Sequence, residues 1–183
     1  EKLLIETMVG ENIENKNSNN LNDIIYPILK INDLSHLNSF NKITFNLHKG
    51  EVLGLSGLLG SGSNEILRSI FGVIEFQSGE INLLDKKINI NNPRDAIKNG
   101  IGYIPSDRKN EGLIQDNSIK DNSILTIFKK LTNLGFFKAN EAKVTTQNYV
   151  DKLNIKISNI NDFVMNLSGG NQQKVVIAKW LTK

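Results

Sequence analysis

An α/β fold is what this sequence predicts, and three stretches carry the expectation. Residues 51–56, "EVLGLS", form a short apolar run suited to a buried parallel strand. Residues 57–67, "GLLGSGSNEIL", follow as a glycine-rich turn opening into a helix. Residues 101–105, "IGYIP", make a second short apolar strand, ended by Pro105. Strand, glycine turn and helix in that order are the context in which a loop can hold phosphate.

The other elements follow from local pattern. Residues 11–25, "ENIENKNSNNLNDII", are polar, Asn-rich and aperiodic, so residues 1–25 are expected to be a linker, with ordered structure from Tyr26. In "KITFNLHKG" Ile43, Phe45 and Leu47 alternate with Thr44 and Asn46, the pattern of a half-buried strand. "NEILRSIF" reads as a helix stopped by Gly72, and "SGEINLLDKKINI" as a hairpin turning near Asp85 to Lys87. In "NNPRDAIKNG" Asn92 is an N-cap, Pro93 suits the first helical position and Gly100 follows the end. From about Ser118 to Leu153 the chain is expected to be helical, in two amphipathic segments separated near residues 134–140. A last helix runs from Ser168 onward, and no internal repeat is visible.

Composition removes several classes of function. The 183 residues suffice for one domain with a core, or for a piece of a larger one, and Glu1 in place of methionine is expected of a processed or excised segment. No apolar run approaches the ~20 residues of a membrane span. The opening "EKLLIETMVGENIEN" lacks the basic and apolar regions of a signal peptide. The absence of cysteine excludes disulfides and thiolate metal sites and suits the cytosol. A net charge of +3, with its basic residues scattered, predicts neither nucleic-acid nor membrane binding through a basic face.

The glycine loop raises a chemical question. The P-loop pattern is G-x-x-x-x-G-K-[ST], and Gly57 and Gly62 stand at its spacing, with Gly60 and Ser61 between them. Ser63 occupies the lysine position and Asn64 the position of the magnesium-binding hydroxyl. Two readings stay open: backbone amides curled around an anion, or a tight strand-to-helix turn that needs glycine for geometry alone. A hydrogen bond to a charged group is worth about 1.5–3 kcal/mol, so loss of the lysine weakens nucleotide binding by about 10- to 150-fold. Asn64 can still offer a metal its carbonyl oxygen.

Residues 167–180, "LSGGNQQKVVIAKW", hold a second anion-site candidate. Ser168 is a natural N-cap, and Gly169 and Gly170 leave amides uncovered at a helix start. Val175, Val176, Ala178, Trp180 and Leu181 supply apolar surface to seat the helix. As a whole string it resembles the signature motif of ABC-transporter ATPases, which closes over the γ-phosphate of ATP held in the P-loop of an opposite domain.

The resemblance narrows further. "IETMVG", "GEVLGLSGLLGSGSNEIL", "GYIPSDRKNEGLI" and "LSGGNQQKVVIAKWL" together look like the second, C-terminal nucleotide-binding domain of tandem ATPases that drive sugar importers of the ribose, galactose and xylose type. The resemblance implies a P-loop NTPase (ABC ATPase) core with an antiparallel β subdomain and a helical insert. Its parts would be a linker at 1–25, a P-loop and β subdomain at 26–112, a helical subdomain at 113–166, and the signature with its helix at 167–183. It assigns Gly57, Gly60, Ser61, Gly62, Ser63 and Asn64 to a degenerate P-loop. Leu167, Ser168, Gly169, Gly170, Asn171 and Gln172 are assigned to the signature, lent to the intact P-loop of a first domain in the same polypeptide. ATP and magnesium would be bound weakly or supplied by that partner. The chain would sit in the cytoplasm at the inner face of the membrane, its helical subdomain against the permease's transmembrane subunits.

Departures from the family pattern matter. Ser63 and Asn64 depart further than the pairs often found there, and Ser106 replaces a glutamate before Asp107 and Arg108, putting metal or water contact from that point in doubt. Asn171 replaces the general glutamine but agrees with this subfamily. The apolar strand ending in aspartate, the catalytic glutamate and the switch histidine are expected beyond Lys183. That leaves residues 52–56 and 101–104 without neighbours on at least one side, and the Val175, Val176 and Leu181 face partly buried. His36 and His48 precede the P-loop and are expected at strand edges; Phe40, the aromatic nearest to where adenine would stack, is expected in the core. Two alternatives remain: a non-catalytic pseudo-ATPase module that binds a partner, and a nucleoside importer's ATPase.

Overall fold

The computed structural model describes residues 26–133 and 135–183, whose contacts divide into two units. The linker expected at residues 1–25 lies outside the described residues. The first unit takes in the described residues up to Ile70, with Ile74–Asn91; the second is Phe71–Val73 and Asn92–Lys183.

Alternation builds the first unit. Strands β1 (Pro27–His36), β2 (Phe40–His48), β3 (Ser78–Leu83) and β4 (Lys86–Ile88) form an antiparallel sheet in the order β2-β1-β3-β4. Ile31 lies opposite Phe45 on one side and Ile81 on the other, and Ile31, Leu34 and Ile81 are fully buried. On β2, Ile43, Phe45 and Leu47 are half-buried while Thr44 and Asn46 are exposed, as the period-two pattern predicts. The β3–β4 turn comes slightly earlier than expected. Leu83 pairs with Lys86, so the turn is Leu84 and Asp85, at φ +50° and +60°. A two-residue loop with positive φ at both positions matches the twist of its strands, and Asp is among the residues that adopt that conformation most readily. His36 and His48 end β1 and β2, and Phe40 is buried, its ring 5.8 Å from that of His36.

Helix α1 (Ser63–Ile70) buries Ile66, Ser69 and Ile70, and its last turn is followed by Gly72 at φ +77°. Its start is held close to the β1–β2 turn, because a Cβ on Gly62 would collide with the Ser39 carbonyl oxygen.

The two apolar strands expected at residues 51–56 and 101–105 do not form. Both segments lie outside every ladder among the described residues, and Val52 is 97% exposed. An apolar run becomes a strand only when neighbours take up its N–H and C=O groups, and no described strand pairs with either segment.

The second unit is mainly helical: α2 (Pro93–Lys98), α3 (Ile119–Ile124), α4 (Ala139–Lys152) and α5 (Gly169–Leu181). Around α2 the capping signals operate as read. Asn92 Oδ1 accepts from the Arg94 and Asp95 amides at 3.0 and 3.3 Å, Pro93 opens the helix, and Gly100 follows at φ +82°. A short hairpin, β5 (Thr132–Asn133) and β6 (Phe136–Phe137), separates α3 from α4. Asn122, fully buried, organises the approach to α3: its side chain accepts from the Ile114 amide at 2.8 Å and donates to the Ile114 and Ser118 carbonyls at 2.9 and 3.1 Å.

The core joins Leu113, Ile119, Val150, Ile155, Ile160 and Val164 to Val175, Val176 and Ala178 of α5. The expectation of a partly covered α5 face holds at Leu181, which is exposed, and is corrected at Val175 and Val176, which are fully buried. The cover comes from α4 and residues 155–164, within the same unit.

Gly79 is the tightest backbone approach in the sheet unit. Its φ is +109°, and a Cβ there would lie 2.5 Å from Leu34 Cα and 2.7 Å from the Asp33 carbonyl oxygen. Gly79→Ala is expected to cost at least about 1–3 kcal/mol from backbone strain alone, read as a lower urea midpoint.

Candidate functional site

Two glycine-containing helix starts, one in each unit, hold the twelve residues singled out by sequence. In the first, Ser61 N–H donates to the Leu58 carbonyl at 2.9 Å, Gly60 and Gly62 take φ of +83° and +86°, and Ile66 N–H donates to the Gly62 carbonyl at 2.9 Å. The loop therefore has a tight glycine-dependent turn feeding a helix. Its interior is another matter. The space beside Gly57, where a Cβ would stand, is taken by the Ser61 side chain. Ser63 is half-buried, Asn64 is exposed, and Leu58 and Leu59 are strongly exposed. Among the described residues no three His, Asp or Glu side chains cluster to hold a metal ion. The loop keeps the turn of a phosphate cradle but offers magnesium and phosphate neither a lysine nor a metal-binding hydroxyl.

The second start is α5. Ser168 occupies the N-cap position, as predicted, but its hydroxyl caps no helix amide. It accepts instead from Asn171 Nδ2 at 3.1 Å, while Asn171 Oδ1 accepts from the Lys156 amide at 3.1 Å. This arrangement matters chemically. A hydroxyl that receives a hydrogen bond keeps its own proton for another acceptor, and the first-turn amides of α5 lack a side-chain cap. With the positive end of the helix dipole, the start of α5 suits a phosphate. Leu167 and Gln172 serve differently. Leu167 packs on the core, and buried Gln172 donates through Nε2 to the Val164 carbonyl at 3.2 Å. Thus Ser168, Gly169, Gly170 and Asn171 form the front of the motif, and Leu167 and Gln172 anchor it.

Sequence reasoning missed what fixes α5 in place. Residues Arg108–Gly112 form a π-helical turn capped by Asp107, whose carboxylate accepts from the Asn110 side-chain amide at 2.7 Å and its backbone N–H at 3.1 Å. These two bonds hold the Asp107 carboxyl below its usual range. Gly112 is buried against α5, where a Cβ would lie 3.2 Å from Val176 Cγ2. Buried Lys179 donates from Nζ to the Gly112 carbonyl at 2.7 Å and lies 5.5 Å from the Trp180 ring centroid. Trp180 in turn meets Phe71 edge-on, and Gly102 packs under its indole, a Cβ there being 3.2 Å away. A helical-face count could have found Lys179, since it lies three and four residues from Val176 and Val175 on the buried side. Ser106 is exposed.

These elements are those of an ATP-binding cassette, and the chain belongs to the ABC transporter family, whose model matches residues 40–183. The chain is 42% identical to the ribose import ATP-binding protein RbsA of Oceanobacillus iheyensis, over 97% of this chain and 36% of that protein. It is 43% identical to RbsA of Clostridium tetani, over 97% of this chain and 35% of that protein. The chain thus spans about a third of the length of these curated relatives.

Among solved structures, cbiO1 from Clostridium perfringens, part of the ABC transporter complex cbiONQ, matches with a TM-score of 0.65 at 22% identity, over 85% of this chain and 61% of that one. The ATP-binding cassette MJ0796, in a dimeric post-hydrolysis state bound to ADP and Pi, matches at 0.67 and 21% identity, over 84% and 69%. Such matches establish the fold: a P-loop NTPase of the ABC type with an antiparallel sheet and helices. Among the described residues no helix is long and apolar enough to cross a membrane.

Burial pushes the Lys179 ammonium below its ordinary value of 10.5, so the folded chain releases that proton earlier than the unfolded chain. Between the two values the unfolded state binds more protons, and stability rises with pH across that window. Below it, the burial cost of the charge is fully present. The urea midpoint of the wild type is therefore expected to gain on that of Lys179→Met as pH approaches 10.5. Lys183, lowered by partial burial and by Lys130, titrates in both proteins.

Proposed function

We propose that this chain is the second, C-terminal nucleotide-binding domain of a tandem ABC ATPase that powers sugar import. In this reading it contributes the signature, residues 167–172, to a composite ATP site whose working P-loop belongs to the first domain of the same polypeptide. One asymmetry carries the proposal: the chain's own phosphate loop lacks lysine and metal-binding hydroxyl, while its signature presents a proton-donating Ser168 and uncapped helix amides. The relatives, at about 40% identity across nearly the whole chain, include ribose import ATP-binding proteins, which supports a sugar as cargo. The partners are then the first domain and the permease's transmembrane subunits, the latter against the helical segment 113–166. The location is the cytoplasmic face of the cell membrane, without insertion.

ATP in this arrangement is held mainly by the first domain, with its magnesium. Here Ser168 and the amides at the start of α5 meet the terminal phosphate, and Leu167 and Gln172 keep that start in place. Binding at the first domain and phosphate contact from this one become a single event.

Ser168→Ala in the full-length protein is expected to lower ATPase activity by about 10- to 150-fold, the worth of one hydrogen bond to a charged group, and Gly169→Asp, which sets a carboxylate against the phosphate, to lower it at least as far. Ser63→Ala should change it little, because that loop is already compromised. Steady-state ATPase assays decide the matter, and equal losses from all three would show the assignment to be wrong.

A further inference from the structure

Arg108 is the cation that the site described above leaves unused. Its side chain is half-buried and lies directly on the start of α5: a Cβ on Gly169 would stand 2.5 Å from Nη2 and 3.4 Å from Cζ. Only glycine at 169 admits the guanidinium this close. The buried Nε has no hydrogen-bond partner among the described residues, and no carboxylate among them pairs with this side chain. The adjacent Asp107 turns both carboxylate oxygens to Asn110 instead.

Left alone, this geometry is unfavourable. A guanidinium set against the positive end of a helix feels a field of its own sign, and a buried N–H without an acceptor carries a desolvation cost. One ligand class turns the repulsion at the helix start into attraction, an anion with several acceptor oxygens. Arginine's planar fork of donors matches phosphate in particular.

The backbone under Arg108 is also fixed relative to α5. The Lys179–Gly112 hydrogen bond and the packing of Gly112 on Val176 fasten the far end of the same π-helical turn to that helix. Arg108 is therefore presented by a rigid mount, which limits the reorganisation that binding demands.

We propose that Arg108 is a phosphate-binding residue of the signature site and grips the terminal phosphate of a nucleoside triphosphate alongside Ser168 and the α5 amides. The inference rests on the reading that the signature meets ATP. It adds a residue from a separate segment, sixty positions upstream of Ser168. It also gives Gly169 a second role, as the opening through which the guanidinium reaches the helix start.

The test uses the full-length ATPase. Arg108→Gln is expected to lower kcat/KM for ATP by about 10- to 150-fold, with the nucleotide-free melting temperature unchanged or raised. Arg108→Lys should recover part of the loss, since it keeps the charge without the fork. Gly169→Ala should reproduce the loss by displacing the guanidinium. A non-hydrolysable ATP analogue should raise the melting temperature less in Arg108→Gln than in wild type, whereas ADP should stabilise both alike. Wild-type kinetics in Arg108→Gln would overturn the inference, as would a loss that comes with a lower nucleotide-free melting temperature and is not mended by lysine. Ser168→Ala separates the two ideas: if it loses activity while Arg108→Gln does not, the inference falls and the reading of the signature stands. If neither variant loses activity, both fall.

Discussion

Lys179 ties α5 to a turn that lies far from it in sequence. Its ammonium is buried, reaches one carbonyl, that of Gly112, and has an aromatic ring beside it. Burying a charge costs more than one hydrogen bond returns, so the contact contributes little to stability by itself. What it does is specify. With Gly112 pressed on Val176, the turn at Arg108–Gly112 and the helix at Gly169–Leu181 keep one relative position. The placement of Arg108 over Gly169, and with it the character of the helix start, depends on that registration.

The start of α5 is polar for a reason that runs through one side chain. Asn171 receives the Lys156 amide on its oxygen, which leaves its nitrogen to face Ser168. The amide is thereby oriented, and the serine hydroxyl becomes a donor outward. A glutamine, one methylene longer, would have to reach past this position to make both bonds. Asn171 thus joins Lys156 to the start of α5, while Gln172, the next residue, bonds to Val164 instead. Neighbouring amides divide the work between face and anchor.

Much of the fold was legible because local pattern and tertiary structure agree. The alternation of Ile43, Phe45 and Leu47, the Asn92–Pro93 helix start and the Gly100 stop all appear where their chemistry requires. Residues 51–56 and 101–105 were misread for the opposite reason. Their apolar character says what they could join, and a strand is a property of a pair rather than of a segment. The sites divide in the same way. Contiguous motifs such as residues 57–64 and 167–172 could be read from spacing. Arg108, Lys179 and the Ser61 side chain against Gly57 depend on contacts across turns or between distant segments, which no local pattern encodes.

The glycines of the first loop have a physical explanation that does not involve phosphate. Gly62 must lack a Cβ because the Ser39 carbonyl occupies its place, and Gly57 because Ser61 does. Gly60 and Gly62 also adopt positive φ, where other residues pay a conformational cost. Each of these demands comes from folding α1 onto the sheet and from closing the turn. Lysine and threonine at 63 and 64, by contrast, would serve a nucleotide and nothing in the packing of this unit. A loop freed from binding phosphate can therefore lose its chemical residues while its glycines stay, and the G-x-x-x-x-G spacing then records the geometry of a turn. The glycine at 169 is of another kind: what fills its missing Cβ is a cation rather than a carbonyl or a serine. By that criterion the two helix starts differ in kind. The first is closed on itself by neutral groups, and the second is edged with positive charge.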